Sequence, residues 1–196
     1  LGNTLRVNST STVDLAGNSF AAAGFGVLAQ NPGTVLNVTG DAGFVLDGRS
    51  FARIENLELR HFGSGDYGKG VYLRYSSDCA VRFCRIHEIG AAGVWVKGGE
   101  RNLIEENEIW DTAIFDWPWD WTKGSSAENN AVTFTDEIGR GNVVRRNLIH
   151  GTFNGVGPCG SAAPSAGITN ETDLYENILY RHTDDALEPE GYCANV

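Results

Sequence analysis

An all-β solenoid of stacked parallel coils, each about 23 residues long with inserted loops, is the fold class this sequence predicts. Two observations carry the prediction. One eight-residue segment recurs five times, and a second short segment follows each copy. Fixed-interval repeats of this length, with two or three short strands and no helical period, are the signature of a β-solenoid.

The first series comprises "RIENLELR" (53–60), "VRFCRIHE" (81–88), "LIEENEIW" (103–110), "VVRRNLIH" (143–150) and "DLYENILY" (173–180). Asn107, Asn147 and Asn177 align, sharing their column with Leu57 and Cys84. Three residues earlier stand Ile54, Val81, Ile104, Val144 and Leu174, and two residues later Leu59, Ile86, Ile109, Ile149 and Leu179. Asparagine is disfavoured within strands. A column of it between two aliphatic columns therefore marks a bend, where the amides bond turn backbone and the equivalent Asn about 4.8 Å away on the next coil. Cys84 fills the same slot as a small buried residue.

The second series is "GFVLD" (43–47), "GVYLR" (70–74), "GVWVK" (93–97), "AVTFT" (131–135), "GVGPC" (155–159) and "ALEPE" (186–190), with starts separated by 27, 23, 38, 24 and 31 residues. Alternation points Phe44, Val71, Val94, Val132, Val156 and Leu187 inward, together with Leu46, Leu73, Val96, Phe134, Pro158 and Pro189. It leaves two outward columns: Val45, Tyr72, Trp95, Thr133, Gly157, Glu188 and Asp47, Arg74, Lys97, Thr135, Cys159, Glu190. A β-sandwich with fortuitous spacing is the competing fold, but it would not hold three columns in register.

Charge and composition narrow the function. The 196 residues carry a net charge of −10 and include 25 Gly and 5 Pro. A chain this acidic lacks the basic footprint that nucleic acid requires. No run approaches the roughly 20 apolar residues of a membrane span. The chain begins at Leu1 and contains no Met. Its first strand-like residues and its closing "CANV", which resembles the start of another coil, make residues 1–196 one domain excerpted from a longer solenoid.

Several outward residues suit carbohydrate. Tyr72 and Trp95 form an aromatic pair on adjacent coils, and Arg74 and Lys97 a cationic pair, which is unfavourable unless an anion bridges it. Surface decoration is the plainer account of both. The long interval carries an insertion at 111–129 with Phe115, Trp117, Trp119 and Trp121 interleaved with Asp116 and Asp120. Such aromatics suit recognition of sugar faces, or a flap packed on the solenoid or on another subunit. Carboxylates gather at Asp184, Asp185, Glu188 and Glu190, with Asp136 and Glu137 two coils earlier. They are candidates for acid/base hydrolysis, for Ca²⁺, or for turn chemistry alone.

The remaining column, Arg60, His87, Trp110, His150 and Tyr180, reads as stacking. Its two histidines lie two coils, about 9–10 Å, apart, too far to share a metal. Cys159 and Cys193 follow equivalent strands of adjacent coils and should lie close enough to bond. Cys79 and Cys84, five apart in extended chain, should not.

The repeats "NLIEENEIWDT", "NVVRRNLIHGT" and "ETDLYENILYRHTDDALEPEG" resemble those of the right-handed, pectate-lyase-like parallel β-helix superfamily, over about residues 35–196. The resemblance implies a single-stranded right-handed parallel β-helix, secreted or at the cell surface, whose partner is a polysaccharide. The resemblance is specific for fold rather than activity; with the Arg74–Lys97 pair, the first functional reading is a lyase or hydrolase acting on an acidic glycan. In a lyase, Lys97 and Arg74 would neutralise the uronate and assist proton removal while Tyr72, Trp95, Trp117, Trp119, Trp121, Glu188 and Glu190 hold sugars. In a hydrolase, Asp136, Asp184 or Asp185 would serve. The alternative is a non-catalytic spike or filament that binds glycans or pairs with its neighbours. The sequence assigns no metal ligands, and Ca²⁺ is the one cofactor it leaves open.

Overall fold

The computed structural model describes residues 42–62, 68–112, 119–124, 128–162 and 171–196. Trp121 and Thr122 are described as backbone alone, as are five strands between Asn3 and Asn37. The chain winds into coils that place strands on three parallel sheets. The first sheet has seven strands, from Asn3–Val7 to Thr172–Tyr175. The second has seven, from Val13–Asp14 to Ile178–Tyr180. The third has six, from Phe20–Ala21 to Asn154–Gly157. Successive coils pair in register: Val81 faces Ile54 and Ile104, Ile86 faces Leu59 and Ile109, and Val94 faces Val71 and Val132. This is the parallel solenoid expected from the repeats, and a sandwich is excluded.

The aliphatic columns fill the interior. Ile54, Val81, Ile104 and Val144 from the first sheet, Leu59, Ile86, Ile109 and Ile149 from the second, and Phe44, Val71, Val94, Val132 and Val156 from the third are all fully buried. Each contributes roughly 1.5–3 kcal/mol of apolar transfer. Alternation misjudges the last coil. Leu187 and Pro189 were expected inside, yet both are exposed, because this coil has a neighbour on one side only.

The bends explain the asparagines. Between the first and second sheets one residue per coil enters the left-handed region: Asn56, Phe83, Glu106, Arg146 and Glu176, with φ between 53° and 60°. The next residue turns its side chain inward beneath the bend. Asn147 Oδ1 accepts from the Asn107 amide and Nδ2, both at 3.0 Å, and Asn147 Nδ2 donates to Asn177 Oδ1 and to the Ile104 carbonyl. The Asn107 Oδ1 accepts from the Cys84 N–H, which ends the ladder.

A second ladder, not anticipated, stands five residues before the first. Left-handed Asp78, Arg101 and Gly141 precede Cys79, Asn102 and Asn142. Asn102 Nδ2 donates to Asn142 Oδ1 at 3.1 Å, and the Cys79 N–H donates to Asn102 Oδ1. Each ladder thus ends on a buried cysteine. Burial pushes the Cys84 thiol up to about 12 and raises Cys79 as well, as expected of structural thiols.

The ring column on the second sheet is a stack. Centroids of His87, Trp110, His150 and Tyr180 follow one another at 4.0, 5.9 and 4.9 Å with planes within 15°. Cys159 and Cys193 form a disulfide with Cα atoms 5.0 Å apart, and Cys79 and Cys84 are free. Among the described residues no helix is long and apolar enough to cross a membrane.

Candidate functional site

The outer face of the third sheet carries the two columns predicted to face outward. Trp95 pairs with Tyr72 on one side and Thr133 on the other, and Lys97 with Arg74 and Thr135. Tyr72, Arg74, Trp95 and Lys97 therefore lie side by side, partly or fully accessible.

Their chemistry is more self-contained than the sequence suggests. Arg74 Nη1 bonds Asp47 Oδ2 at 3.2 Å, and Lys97 Nζ lies 3.5 Å from Asp136 Oδ2. Asp136 also accepts from the Tyr75 hydroxyl at 3.0 Å. The like-charged pair is thus bridged from within the protein, by a carboxylate on each cation. This removes the reason for expecting an external anion. Tyr72 and Trp95 meet edge to face at 6.3 Å, and the Lys69 ammonium lies 4.5 Å from the Trp95 centroid and 5.1 Å from that of Tyr72. Trp95 Nε1 donates to Thr135 Oγ1 at 2.7 Å, which fixes the indole.

A groove of about 440 Å³ opens on the side of Trp95 away from Tyr72. Trp95, Asn130, Thr133, Thr135 and Gly157 come from the sheet, and Glu128 from the end of the inserted loop. Glu188, Glu190 and Gly191 come from the last coil. Gly157 is required here, since a Cβ would stand 2.4 Å from Asn130 Nδ2. Asn154 Nδ2 donates to Glu188 Oε2 at 2.9 Å. The Glu188 carboxyl is held above the usual range, chiefly by burial and then by the charges of Glu128 and Glu190. Lys123 and a hydrogen bond from Asn130 oppose this.

The groove takes Trp95, Glu188 and Glu190 from the residues named by the sequence. Arg74, Lys97, Tyr72, Asp136, Asp184 and Asp185 do not line it. Asp184 instead holds Lys123 Nζ at 2.6 Å, and Lys123 also bonds Glu128. The Asp185 backbone N–H donates to Asn154 Oδ1 at 3.0 Å. Both interactions are scaffold around the groove. Trp119, in the short helix Trp119–Thr122, packs 5.8 Å from the ring of buried Phe153, so this part of the loop sits at the entrance of the third sheet. Trp117 and the side chain of Trp121 lie outside the described residues. Glu128 and Asn130 were not anticipated. Their signal was position, at the start of the strand Asn130–Ile138 and two residues before it. Among the described residues, no three His, Cys, Asp or Glu side chains converge to hold a metal ion.

Several solved structures are similar in fold. The Dettilon tailspike protein gp208 is 16% identical with a TM-score of 0.45, the match covering 92% of this chain and 42% of that one. Pectate lyase Pel9A is 12% identical with a TM-score of 0.48, at 98% and 71%. The A-module of the Azotobacter vinelandii mannuronan C-5 epimerase AlgE6 is 16% identical with a TM-score of 0.41, at 98% and 56%. This chain thus spans less than half of the tailspike chain. No curated protein matches it in sequence. The family model for the right handed beta helix region matches residues 3–172, which cover both polar ladders as far as Asn147 and every strand of the third sheet. The chain belongs to the right-handed β-helix family.

Proposed function

We propose that this protein is a carbohydrate-active β-helix that binds a glycan chain across the groove beside Trp95 and hydrolyses it. One observation carries the reading: the Glu188 carboxyl, half-buried and held by Asn154 Nδ2, stands with Glu128 and Glu190 in a groove walled by a fixed indole. Paired carboxylates in different environments are what glycoside hydrolysis needs. Glu188, whose proton is retained to higher pH, is the general acid that protonates the leaving oxygen. Glu190, nearer solvent, is the base that activates water. Trp95 offers a rigid apolar face to a sugar ring. The disulfide supports work in an oxidising, extracytoplasmic compartment. A lyase centred on Lys97 and Arg74 has less support, because both cations already hold carboxylates.

The test is product analysis on a panel of polysaccharides. Reducing ends without unsaturated sugars are expected. Glu188→Gln should abolish release while leaving binding, and Trp95→Ala should weaken binding about tenfold or more, on the scale of an aromatic contact plus its buried area. Undiminished turnover by Glu188→Gln would refute the assignment. Binding without products from the native protein would make it a glycan-binding module.

A further inference from the structure

We propose that Lys123 is a positioning residue for the hydrolysis, its ammonium tying the Glu128 wall of the groove to the last coil, which carries Glu188 and Glu190. This inference rests on the hydrolase reading above and adds to it a residue that touches neither the glycan nor the reacting atoms.

Glu128 and Asp184 reach Lys123 from different parts of the chain. Glu128 stands two residues before the strand Asn130–Ile138, and Asp184 four residues before Glu188 on the last coil. Lys123 Nζ donates to Asp184 Oδ2 at 2.6 Å and also to Glu128 Oε1. Glu128 Oε2 accepts from the Gly124 N–H, so both its oxygens are engaged by one short stretch of chain. Asp184 is anchored from the coil side, its own N–H donating to the Phe153 carbonyl at 3.0 Å. The two carboxylate side chains are each only 17% exposed. Enclosed carboxylates brought to one nitrogen would repel each other without its charge, and an ammonium has donors for both. The lysine is itself braced. Its N–H donates to the Trp119 carbonyl at 2.9 Å, and the Trp119 ring lies 5.8 Å from that of buried Phe153.

The same ammonium acts on the groove. Glu128 lines it together with Glu188, and the Glu128 charge helps to keep the proton on Glu188, whereas Lys123 works against this. Lys123 therefore moderates the acid as well as placing the wall. Its removal leaves Glu128 uncompensated, which holds the Glu188 proton to still higher pH. A purely structural loss has the opposite sign. Loosening the wall admits water to Glu188, and hydration returns a buried carboxyl toward its ordinary value of 4.5.

The experiment uses the full chain in four forms: native, Lys123→Met, Lys123→Arg and Asp184→Asn, each checked for fold by circular dichroism. Release of reducing ends from polygalacturonate, alginate, xylan and mixed-linkage β-glucan is followed against pH, and amide exchange is followed by NMR. The basic limb of the pH profile, where the general acid loses its proton, should move up by about half a pH unit or more in Lys123→Met. It should not move up in Asp184→Asn, which keeps the ammonium beside Glu128. Exchange of the Gly124 amide should quicken about fivefold or more in both neutral variants, the scale of a lost hydrogen bond to a charged group. The Glu188 amide, bonded to the Val156 carbonyl at 2.9 Å, should keep its protection. Lys123→Arg should restore both readouts. A basic limb in Lys123→Met that stays or moves down, or Gly124 exchange unchanged in both neutral variants, would overturn the inference and leave the hydrolase reading standing. A native protein that cleaves none of the four polysaccharides refutes the hydrolase reading itself, and the positioning role with it.

Discussion

Replacing Asn147 with Ala isolates what a buried ladder residue contributes. Its side chain makes four hydrogen bonds: Oδ1 accepts from the Asn107 N–H and Nδ2, and Nδ2 donates to the Ile104 carbonyl and Asn177 Oδ1. The residue is fully buried, so water does not replace them. Truncation leaves the Asn107 N–H without this acceptor, at about 1–3 kcal/mol, and removes further bonds worth about 0.5–1.5 kcal/mol each. The expected loss is about 3–5 kcal/mol. Asn177→Ala is the comparison at the half-buried end of the ladder: it removes the bond to the Val144 carbonyl and the acceptor of the Asn147 N–H and Nδ2, which water can partly replace there, so it should cost less, about 1–3 kcal/mol. Urea unfolding followed by circular dichroism gives both values. Hydrogen exchange at the Asn107 amide gives a local readout, and its protection should collapse in Asn147→Ala alone. A loss below about 1 kcal/mol for Asn147→Ala, or one no larger than that of Asn177→Ala, would refute the ladder as a stabilising device.

Reduction of the Cys159–Cys193 disulfide should destabilise the last coil by up to about 4 kcal/mol, the loop-entropy value for its sequence separation of 34. Thermal melting with and without reductant measures this, and an unchanged midpoint would contradict it. The same treatment should weaken ligand binding, since Cys159 and Gly191 both line the groove. Glu188→Gln should change stability in a pH-dependent way. The folded carboxyl is raised above its ordinary value of 4.5, so the stability that Glu188 contributes is full below that pH and is lost as pH rises through the folded pKa. The variant should therefore match the native protein near about pH 4 and exceed it at neutrality. A constant difference across the range would mean that Glu188 is unperturbed.

The fold was legible because a solenoid writes each coil beside the last, so that columns in space are columns in the alignment of repeats. The aliphatic columns, the Asn107–Asn177 bend and the ring stack follow directly. The second ladder was equally present in the sequence, as Asn five residues before Asn in "NLIEEN" and "NVVRRN", with Cys79 and Cys84 repeating the spacing. The alignment places Cys84 in the first asparagine column, while Cys79, at the same spacing, marks the end of the second. The groove was legible in part. Alternation put Trp95, Glu188 and Glu190 on the outer face; Trp95 sits in the sheet, and Glu188 follows the isolated Val156–Leu187 bridge. It read Arg74 and Lys97 as a bare cationic pair, although Asp47 stands in direct register with Arg74 in the same column; Asp136, the partner of Lys97, lies one residue beyond that column. Asn130 escaped because one Asn among the 16 of this chain has no distinguishing neighbour in sequence.

Polar residues in this fold divide by how completely the protein itself satisfies them. Asn147 accepts twice and donates twice, which is the usual capacity of an amide, and every partner is protein. Nothing is left over for a ligand, and any change there is a change in stability. Asp184 and Asp136 are spent in the same way on Lys123 and on Lys97 with Tyr75, although they face outward. Asn130 differs. It is buried, yet its side-chain Oδ1 accepts nothing, and it stands beside a carboxyl that burial and two like charges hold protonated to higher pH. A stack of coils gains stability from each saturated polar group and loses it at each unsaturated one. The unsatisfied Asn130 Oδ1 beside the groove is therefore a cost the fold carries there.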